Sequence, residues 1–269
     1  EDGERRLYES LALLLENARP QLERLIADQQ AQRLARQQSA ARLIAELLID
    51  CAACRRSVVN DAGQEQQAIS ELRKAVRQRE QRCVEALLKL YAFRVQDAAA
   101  SDLPLLDGRW GDDLFNPETL KQLGVRVGGG IAAGAAAGAG VDLLVGGITL
   151  GAAALAGAIA GGALQTARSY GSRLLGKLKG QRELTVDDNV LRLLALRQRQ
   201  LLQALNARGH AAMDSIQVAT PQDKTWREGK LPEALNKARA HPQWSSLNPH
   251  PKLNQAERQE QVEVLAQQL

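Results

Sequence analysis

Two short stretches of this chain resemble nucleotide-binding motifs. Residues 171–178, GSRLLGKL, match most of a phosphate-binding GxxxxGK[ST] loop, but Leu178 replaces the hydroxyl that would hold magnesium. The buried strand that should precede such a loop is also missing from the pattern. Residues 236–239, NKAR, begin like a guanine-binding NKxD motif, but Arg239 occupies the place of the carboxylate that binds the base. We therefore expect no nucleotide site here.

Metal and nucleophilic chemistry is not predicted either. Cys51 and Cys54 form a CxxC pair inside a helical pattern, where a spacing of three residues places both on one face. The other candidate zinc ligands offer no second close pair: they are Cys83, His210, His241 and His250. The carboxylate pairs Asp112-Asp113 and Asp187-Asp188 fit loops or helix starts, and no serine or cysteine has a matching histidine and acid. We expect a chain that is not an enzyme, with no catalytic residues, metal or cofactor.

The feature that needs explanation is a glycine- and alanine-rich stretch from Val127 to Leu164, in which Asp142 is the only charge. Its glycines recur at intervals of four, which puts them on one face of a helix and lets two helices approach closely. The pattern predicts a tight helical hairpin that turns at Gly146-Gly147, with arms of roughly 18 residues. The predicted helix-packing glycines are Gly130, Gly134, Gly138, Gly147, Gly151, Gly157 and Gly161.

Basic residues flank this stretch on both sides and are candidates for contact with lipid headgroups. They are Lys121, Arg126, Arg168, Arg173, Lys177, Lys179 and Arg182. Cations at both ends fit a re-entering hairpin with both ends cytoplasmic. Asp142 and the few large apolar groups of the first arm oppose insertion of that arm alone. The alternative is a soluble hairpin sheathed by long amphipathic helices, with the cations in water.

Composition narrows the class of protein. Aromatic residues make up only 3% of 269 residues while Leu, Ala, Gln, Arg and Glu dominate, and no alternating strand pattern of useful length appears. We predict an all-α fold. The net charge of +4 is mild and the other cations are interleaved with acids, so no nucleic-acid partner is expected. With three cysteines and an acidic, amphipathic N-terminus, the predicted location is cytoplasmic, peripheral or hairpin-anchored at the inner membrane.

Helical patterns divide the chain into five predicted regions. Glu4 to Asn17 is a short amphipathic helix that ends before Arg19-Pro20, in region 1–20. Helices from Gln21 to about Asn60 and from Glu65 to Asp97 form a long antiparallel hairpin in region 21–97. In the second helix Ile69, Val76, Cys83 and Leu90 repeat every seven residues, as in a coiled coil, and Arg79 interrupts the companion row.

The later regions are a connector, the glycine-rich hairpin with its basic flank, and a C-terminal helical region, over 98–116, 117–182 and 183–269. Five apolar side chains should anchor the connector: Leu103, Leu105, Leu106, Trp110 and Phe115. A capping box of Thr185 and Asp188 predicts a helix through Arg208. Further helices are predicted from Pro232 to Ala240 and from Asn254 to the end, whereas His241 and His250 precede prolines and are expected in exposed loops.

These segments together resemble the uncharacterised domain that follows Era-like small GTPase domains in certain bacterial proteins. The resemblance lies in GAAAGAGVDLLVGGITLGAAALAGAIAGG from Gly134 to Gly162, then YGSRLLGKLKG, ELTVDDNVLRLLALRQ, LPEALNKAR and HPQWSSLN. It covers nearly the whole chain and implies that the GTPase motifs lie upstream, in the same polypeptide. Region 1–20 would then be the closing helix of that upstream domain. The resemblance implies no functional residue.

Three hypotheses follow for the function. The first is a non-catalytic helical effector or anchoring module whose glycine-zipper hairpin contacts or enters a membrane, with the upstream GTPase domain and an anionic membrane as partners. The second is a soluble helical scaffold that keeps the hairpin as internal core and binds a protein partner. The third is a pore-forming, toxin-like domain.

Overall fold

The computed structural model describes residues 2–14, 18–58, 62–93, 103–106, 108–116, 119, 141–144, 182–207, 226–227 and 230–269. The helices with defined bounds are α1 (Asp2–Leu14), α2 (Arg19–Ala53), α3 (Ala62–Leu90), α4 (Asp188–Ala207), α5 (Glu233–Ala240) and α6 (Ala256–Ala266). The strands are β1 (Arg55–Val58), β2 (Val141–Leu144) and β3 (Arg182–Val186). The all-α class is confirmed, with the addition of this small sheet.

Helix α2 is the central element of the fold. Its buried residues run from Ala40 to Ala53, whereas the side chains before Ala40 are exposed or half-buried. Helices α3, α4, α5 and α6 and the sheet pack around the buried half, and α1 lies against α2. The heptad positions Ile69, Val76 and Cys83 of α3 are buried as their spacing predicts. The hydrophobic core is therefore built around the C-terminal part of α2.

Two predicted helices end earlier than their sequence pattern indicates. Helix α2 stops at Ala53, because Cys54 turns to an extended conformation and the next residues pair as β1. Helix α3 stops at Leu90, because Ala92 adopts a left-handed φ of 55° and the Phe93 amide bonds back to the Leu88 carbonyl at 2.8 Å. A left-handed residue at a helix C-terminus is usually glycine. Because alanine occupies this position, the sequence did not indicate that the helix ends here.

The three-stranded sheet corrects the expectation that strands are absent. Its order is β1-β3-β2, and both pairings are antiparallel. Val141–Leu144 therefore forms a strand in a part of the glycine-rich stretch that was predicted to be a helical arm. The neighbour of β2 in the sheet is β3, which is itself held by β1, so this part of the stretch is tied to the core by backbone hydrogen bonds.

Smaller corrections concern the helix starts of the C-terminal region. Thr185 lies in β3 rather than capping a helix, and the Asn189 amide bonds instead to the Asp187 carboxylate at 2.6 Å. Helix α5 begins at Glu233, one residue after the predicted Pro232, and α6 begins at Ala256, after the predicted Asn254. Helix α1 already includes Asp2, before the predicted start at Glu4, and the predicted end at Asn17 lies outside the described residues.

The connector packs on the core through most of its predicted anchors. Leu103, Leu105 and Phe115 are buried and Trp110 is half-buried, as predicted. Leu106 is 72% exposed, because it forms one side of a tight turn in which it exchanges backbone hydrogen bonds of 2.8 and 2.9 Å with Arg109. Gly108 supplies the positive φ of 73° that this turn requires.

Candidate functional site

The predicted packing glycines and headgroup cations fall almost entirely outside the described residues. All seven glycines do so, as do Lys121, Arg126, Arg168, Arg173, Lys177 and Lys179. Arg182 is the exception, because it is the first residue of β3. The proposed roles of these residues therefore remain predictions, and so does the division of the chain into five regions.

The backbone register of the sheet fixes where the glycine-rich stretch meets the core. Leu144, at the end of β2, pairs with Glu183, and Val58, at the end of β1, pairs with Arg182. Since strands in a sheet lie about 4.8 Å apart, the chain that leaves β2 at residue 145 starts close to the point where it returns at residue 182. Residues 145–181 are thus attached at both ends to neighbouring strands at the same end of the sheet.

The described part of the molecule has its densest polar contacts around Asp50, near the C-terminus of α2. The Asp50 carboxylate is 3% exposed and accepts hydrogen bonds from Arg79 Nε of α3 at 2.6 Å and from Arg258 Nη2 of α6 at 3.4 Å. It also accepts bonds from the Ser246 amide at 3.0 Å and the Ser246 hydroxyl at 2.9 Å. The Asp50 charge raises the pKa of Arg79 in spite of burial, which alone would lower it.

Residues 241–248, HPQWSSLN, pack against the Asp50 carboxylate and form hydrogen bonds with the C-terminal residues of α2. Asn248 accepts a bond from the Arg55 amide at 2.9 Å and donates to the carbonyls of Ala53 at 2.9 Å and Pro242 at 2.8 Å. Trp244 is buried, stacks on His241 with ring centroids 4.3 Å apart, and donates through Nε1 to Gln255. His241 is therefore half-buried rather than an exposed loop residue, whereas His250 is exposed as predicted.

A second buried ion pair joins α3 to α4. Glu80 of α3 lies 3.6 Å from Arg197 Nη1 of α4 and accepts a bond from Gln198 Nε2 at 3.4 Å. Burial raises the pKa of Glu80 to about 7, although the charge and hydrogen bond of Arg197 act in the opposite direction. Arg197 also donates to the Asp112 carbonyl at 2.8 Å and lies over the Trp110 ring, 5.2 Å from its centroid.

The apparent guanine motif is structural. Arg239 lies on α5, is buried, and donates to the Val186 carbonyl at 3.0 Å and to the Asp188 carboxylate. Arg55 of β1 in turn donates to the Arg239 carbonyl. These contacts hold α5 against the junction of β3 and α4, so the arginine that breaks the NKxD pattern links elements of the core. The apparent phosphate-binding loop, residues 171–178, lies outside the described residues.

The three cysteines are buried free thiols, and the CxxC pair lies in the core as predicted. Burial raises the pKa of Cys51 well above its usual value, that of Cys54 to about 11 and that of Cys83 to about 12, so the unreactive thiol form is favoured. Among the described residues no group of three His, Cys, Asp or Glu could hold a metal ion. None of the helices described there combines the length and apolar character needed to cross a bilayer.

Sequence reasoning missed the Asp50 centre, although one signal was present. Asp50 interrupts an apolar run, Leu47 to Cys51, on a helix whose neighbouring residues are all buried. A carboxylate in such a run needs a partner, and Arg79, which interrupts the heptad row of α3, is that partner. The charged residue in the apolar run of α2 and the charged residue in the heptad row of α3 therefore form one ion pair. A search for two opposite charges at buried positions of neighbouring helices could have found this pair.

Comparison with protein families gives one match. The model of the family described as Domain of unknown function (DUF3482) covers residues 1–267. The chain belongs to this uncharacterised family. The comparisons with curated proteins and with solved structures gave no match.

Proposed function

We propose that the chain is a non-catalytic helical module of a GTPase-type protein, and that its glycine-rich stretch contacts an anionic membrane from one side. The observation that carries the proposal is the pairing of β2 with β3, which attaches residues 145–181 at both ends to the same end of the sheet. The Asp50 centre and the Glu80–Arg197 pair support the view that the core is a rigid base. The buried charges serve packing, which favours an anchoring role over a catalytic one.

The pairing limits how the stretch can meet a bilayer. Val145 to Leu164 is an uncharged run of roughly 20 residues, long enough as a helix for a hydrocarbon core of about 30 Å. A full crossing would require residues 165–181 to return through the bilayer with Arg168, Arg173, Lys177 and Lys179, each costing about 2.5–3.5 kcal/mol at its centre. While β2 stays paired with β3, a shallow, re-entering contact is favoured, with the cations at the headgroups.

The membrane contact is tested by co-flotation of the purified chain with anionic liposomes at low salt. The native chain should float, and a variant with Arg173, Lys177 and Lys179 changed to Gln should stay in the bottom fraction. A matched control changes Arg5, Arg19 and Lys237 to Gln: it removes the same charge from exposed sites far from the stretch in sequence and should still float. Flotation should weaken at high salt because screening reduces headgroup attraction.

A third variant tests whether tight packing of the glycines is needed. It changes Gly134, Gly138, Gly151 and Gly157 to leucine, and loss of flotation in a chain that still folds would support a glycine zipper. Release of trapped dye from the same liposomes would point instead to the pore-forming hypothesis. A native chain that never floats contradicts the membrane proposal.

The GTPase link requires a separate test on the full-length polypeptide. Our proposal expects binding of a fluorescent GTP analogue by that polypeptide and none by residues 1–269 alone. Equal binding by both, or binding by neither, would contradict the GTPase link. The flotation result would remain valid in either case, because the two tests are independent. The proposed location is accordingly cytoplasmic, at the inner membrane surface.

A protein-binding scaffold is the second candidate, and a specific observation favours it. Leu7 and Leu13 of α1 are 56% and 78% exposed, and Leu34, in the half of α2 that precedes the core, is 58% exposed. Exposed apolar side chains mark a surface that another protein covers where they form one contiguous patch, and this candidate requires that these three leucines do so. If the native chain does not float and the amides of the glycine-rich stretch are protected from exchange in plain buffer, this candidate is preferred.

A further inference from the structure

Arg197 is the neighbour of Glu80 whose contacts could change with the charge of the Glu80 carboxyl group. The Glu80 and Arg197 side chains are 7% and 3% exposed, so neither charge is well solvated. Arg197 has two sets of partners: Glu80 on α3, and the connector, through the Asp112 carbonyl and the Trp110 ring. One guanidinium group therefore links a titratable acid to the segment that leads into the glycine-rich stretch.

We propose that proton uptake by Glu80 shifts Arg197 from α3 to the connector, so that residues 108–116 are held more firmly when Glu80 is neutral. The proton comes from solvent and stays on the Glu80 carboxyl group. With Glu80 neutral, the buried Arg197 charge keeps the Asp112 carbonyl and the Trp110 ring as its attractive partners. The proposal concerns the chain in solution and does not depend on membrane binding.

Burial favours the neutral form of Glu80 and the hydrogen bonds that it now accepts favour the charged form, but the Gln198 amide could also serve the neutral form. Gln198 is fully buried, and its Oε1 atom has no hydrogen-bond donor within the described part of the chain. The amide now donates through Nε2 to Glu80. Rotation of the amide by 180° would let Oε1 accept a hydrogen bond from a protonated Glu80, which satisfies a buried acceptor that is otherwise unpaired.

The titratable neighbours of Glu80 include Asp113 and the thiols of Cys51 and Cys83. Asp113 is partly buried, which alone would raise its pKa, but hydrogen bonds from Arg77 at 2.9 and 2.8 Å and from the Phe115 amide lower the pKa. On the α2 side, Asp50 is paired with Arg79, and burial raises the pKa of the Cys51 and Cys83 thiols. The pKa of Glu80, about 7, lies at neutral pH.

The sign of the effect follows from linkage. The folded-state pKa of Glu80, about 7, is above the usual glutamate value of 4.5, so folding favours the protonated form. Its stabilising contribution is fully present below the unfolded-state pKa and is lost as pH rises through the folded-state pKa. The connector should therefore be most protected at the acid end of the range.

The test is amide hydrogen exchange of residues 1–269 between about pH 5.5 and about pH 8.5, corrected for intrinsic rates. The probes are the amides of Arg109 and Asn116, which bond to the carbonyls of Leu106 at 2.9 Å and Asp113 at 3.1 Å. Their protection should fall as pH rises, with a midpoint near 7. The amide of Gln259 on α6, bonded to the Gln255 carbonyl, should show no such midpoint.

Two variants make the test specific to Glu80. Glu80→Gln should keep high protection at every pH, since its side chain is always neutral. Asp113→Asn should move the midpoint to lower pH, because the Asp113 charge raises the pKa of Glu80. An unchanged pH profile in Glu80→Gln overturns the proposal. If that variant does not fold, an unmoved midpoint in Asp113→Asn overturns it instead.

Discussion

At the residue scale, Asp50 joins four separate segments of the described part of the chain. Its partners Arg79, Ser246 and Arg258 lie 29, 196 and 208 residues away in sequence, so one carboxylate brings α3, the 241–248 segment and α6 to the end of α2. Two arginines face one carboxylate in a site with almost no solvent. The arrangement depends on the charge of Asp50 as well as on its hydrogen bonds.

Replacement of Asp50 by Asn should therefore be costly. The variant keeps the size of the side chain but leaves the buried charges of Arg79 and Arg258 without their counter-ion, and breaking such a pair typically costs about 3–5 kcal/mol. The measurement is the free energy of unfolding in urea. Asp113→Asn is the matched control: it removes the partner of Arg77 in a pair whose side chains are 47% and 45% exposed, and should cost about 1 kcal/mol or less. Equal losses in the two variants would contradict the role of Asp50.

Single residues also show why the site was harder to predict than the helices. Cys51 and Cys54 could be assigned to the core from local spacing, and they are buried. Asp50 could be seen as an anomaly in an apolar run, but its partners in the 241–248 segment and α6 are nearly 200 residues or more away, and no periodic pattern connects them. Glu80 and Arg197 face the same difficulty, since each lies in an ordinary helical sequence.

At the element scale, the long amphipathic helices were predictable and the strands were not. The heptad of α3 defines its buried face over four turns or more, which is why Ile69, Val76 and Cys83 were correctly placed. The strands are four or five residues long, so alternation within one strand is too short to detect. Their partners are also distant in sequence, since β3 pairs with β1 across about 130 residues and with β2 across about 40. β3, RELTV, shows the weak signal that existed, because Leu184 and Val186 alternate with polar residues.

We expect helix α1 to contribute little to the stability of the fold and helix α6 to contribute much. Among the α1 side chains that the structure describes, none is buried, whereas α6 buries Arg258, Gln261, Val262 and Leu265. Deletion of residues 1–14 should leave the melting temperature nearly unchanged. Deletion of residues 256–269, the same number of residues, should abolish cooperative melting, because it removes core side chains worth about 2–5 kcal/mol each and a partner of Asp50.

Thermal melting followed by circular dichroism distinguishes the two deletions. The first variant also serves as the control for shortening the chain. A cooperative melt of the second variant at the native temperature would show that α6 is dispensable, and the role assigned to the Asp50–Arg258 contact would then be wrong.

At the scale of the whole molecule, one hydrophobic core receives side chains from both ends of the sequence. Leu48 of α2, Leu87 of α3, Leu194 of α4, Leu235 of α5 and Leu265 of α6 are all buried in it. Such a core implies that the helices before and after the glycine-rich stretch unfold together. The predicted regions 21–97 and 183–269 would then be parts of one cooperative unit, interrupted in sequence by an insertion whose ends meet at the sheet.

Native-state hydrogen exchange tests this cooperativity directly. The slowest amides of α2, α3 and α4 should share one free energy of opening, because only global unfolding exposes them. Leu48→Ala should lower that free energy by about 2–5 kcal/mol in all three helices, through lost burial and a cavity at the centre of the core. Leu34→Ala, at a site that is 58% exposed, is the control and should change none of them. If Leu48→Ala left the slowest amides of α4 unaffected, the C-terminal helices would form a separate folding unit, and the division of the chain predicted from its sequence would be correct.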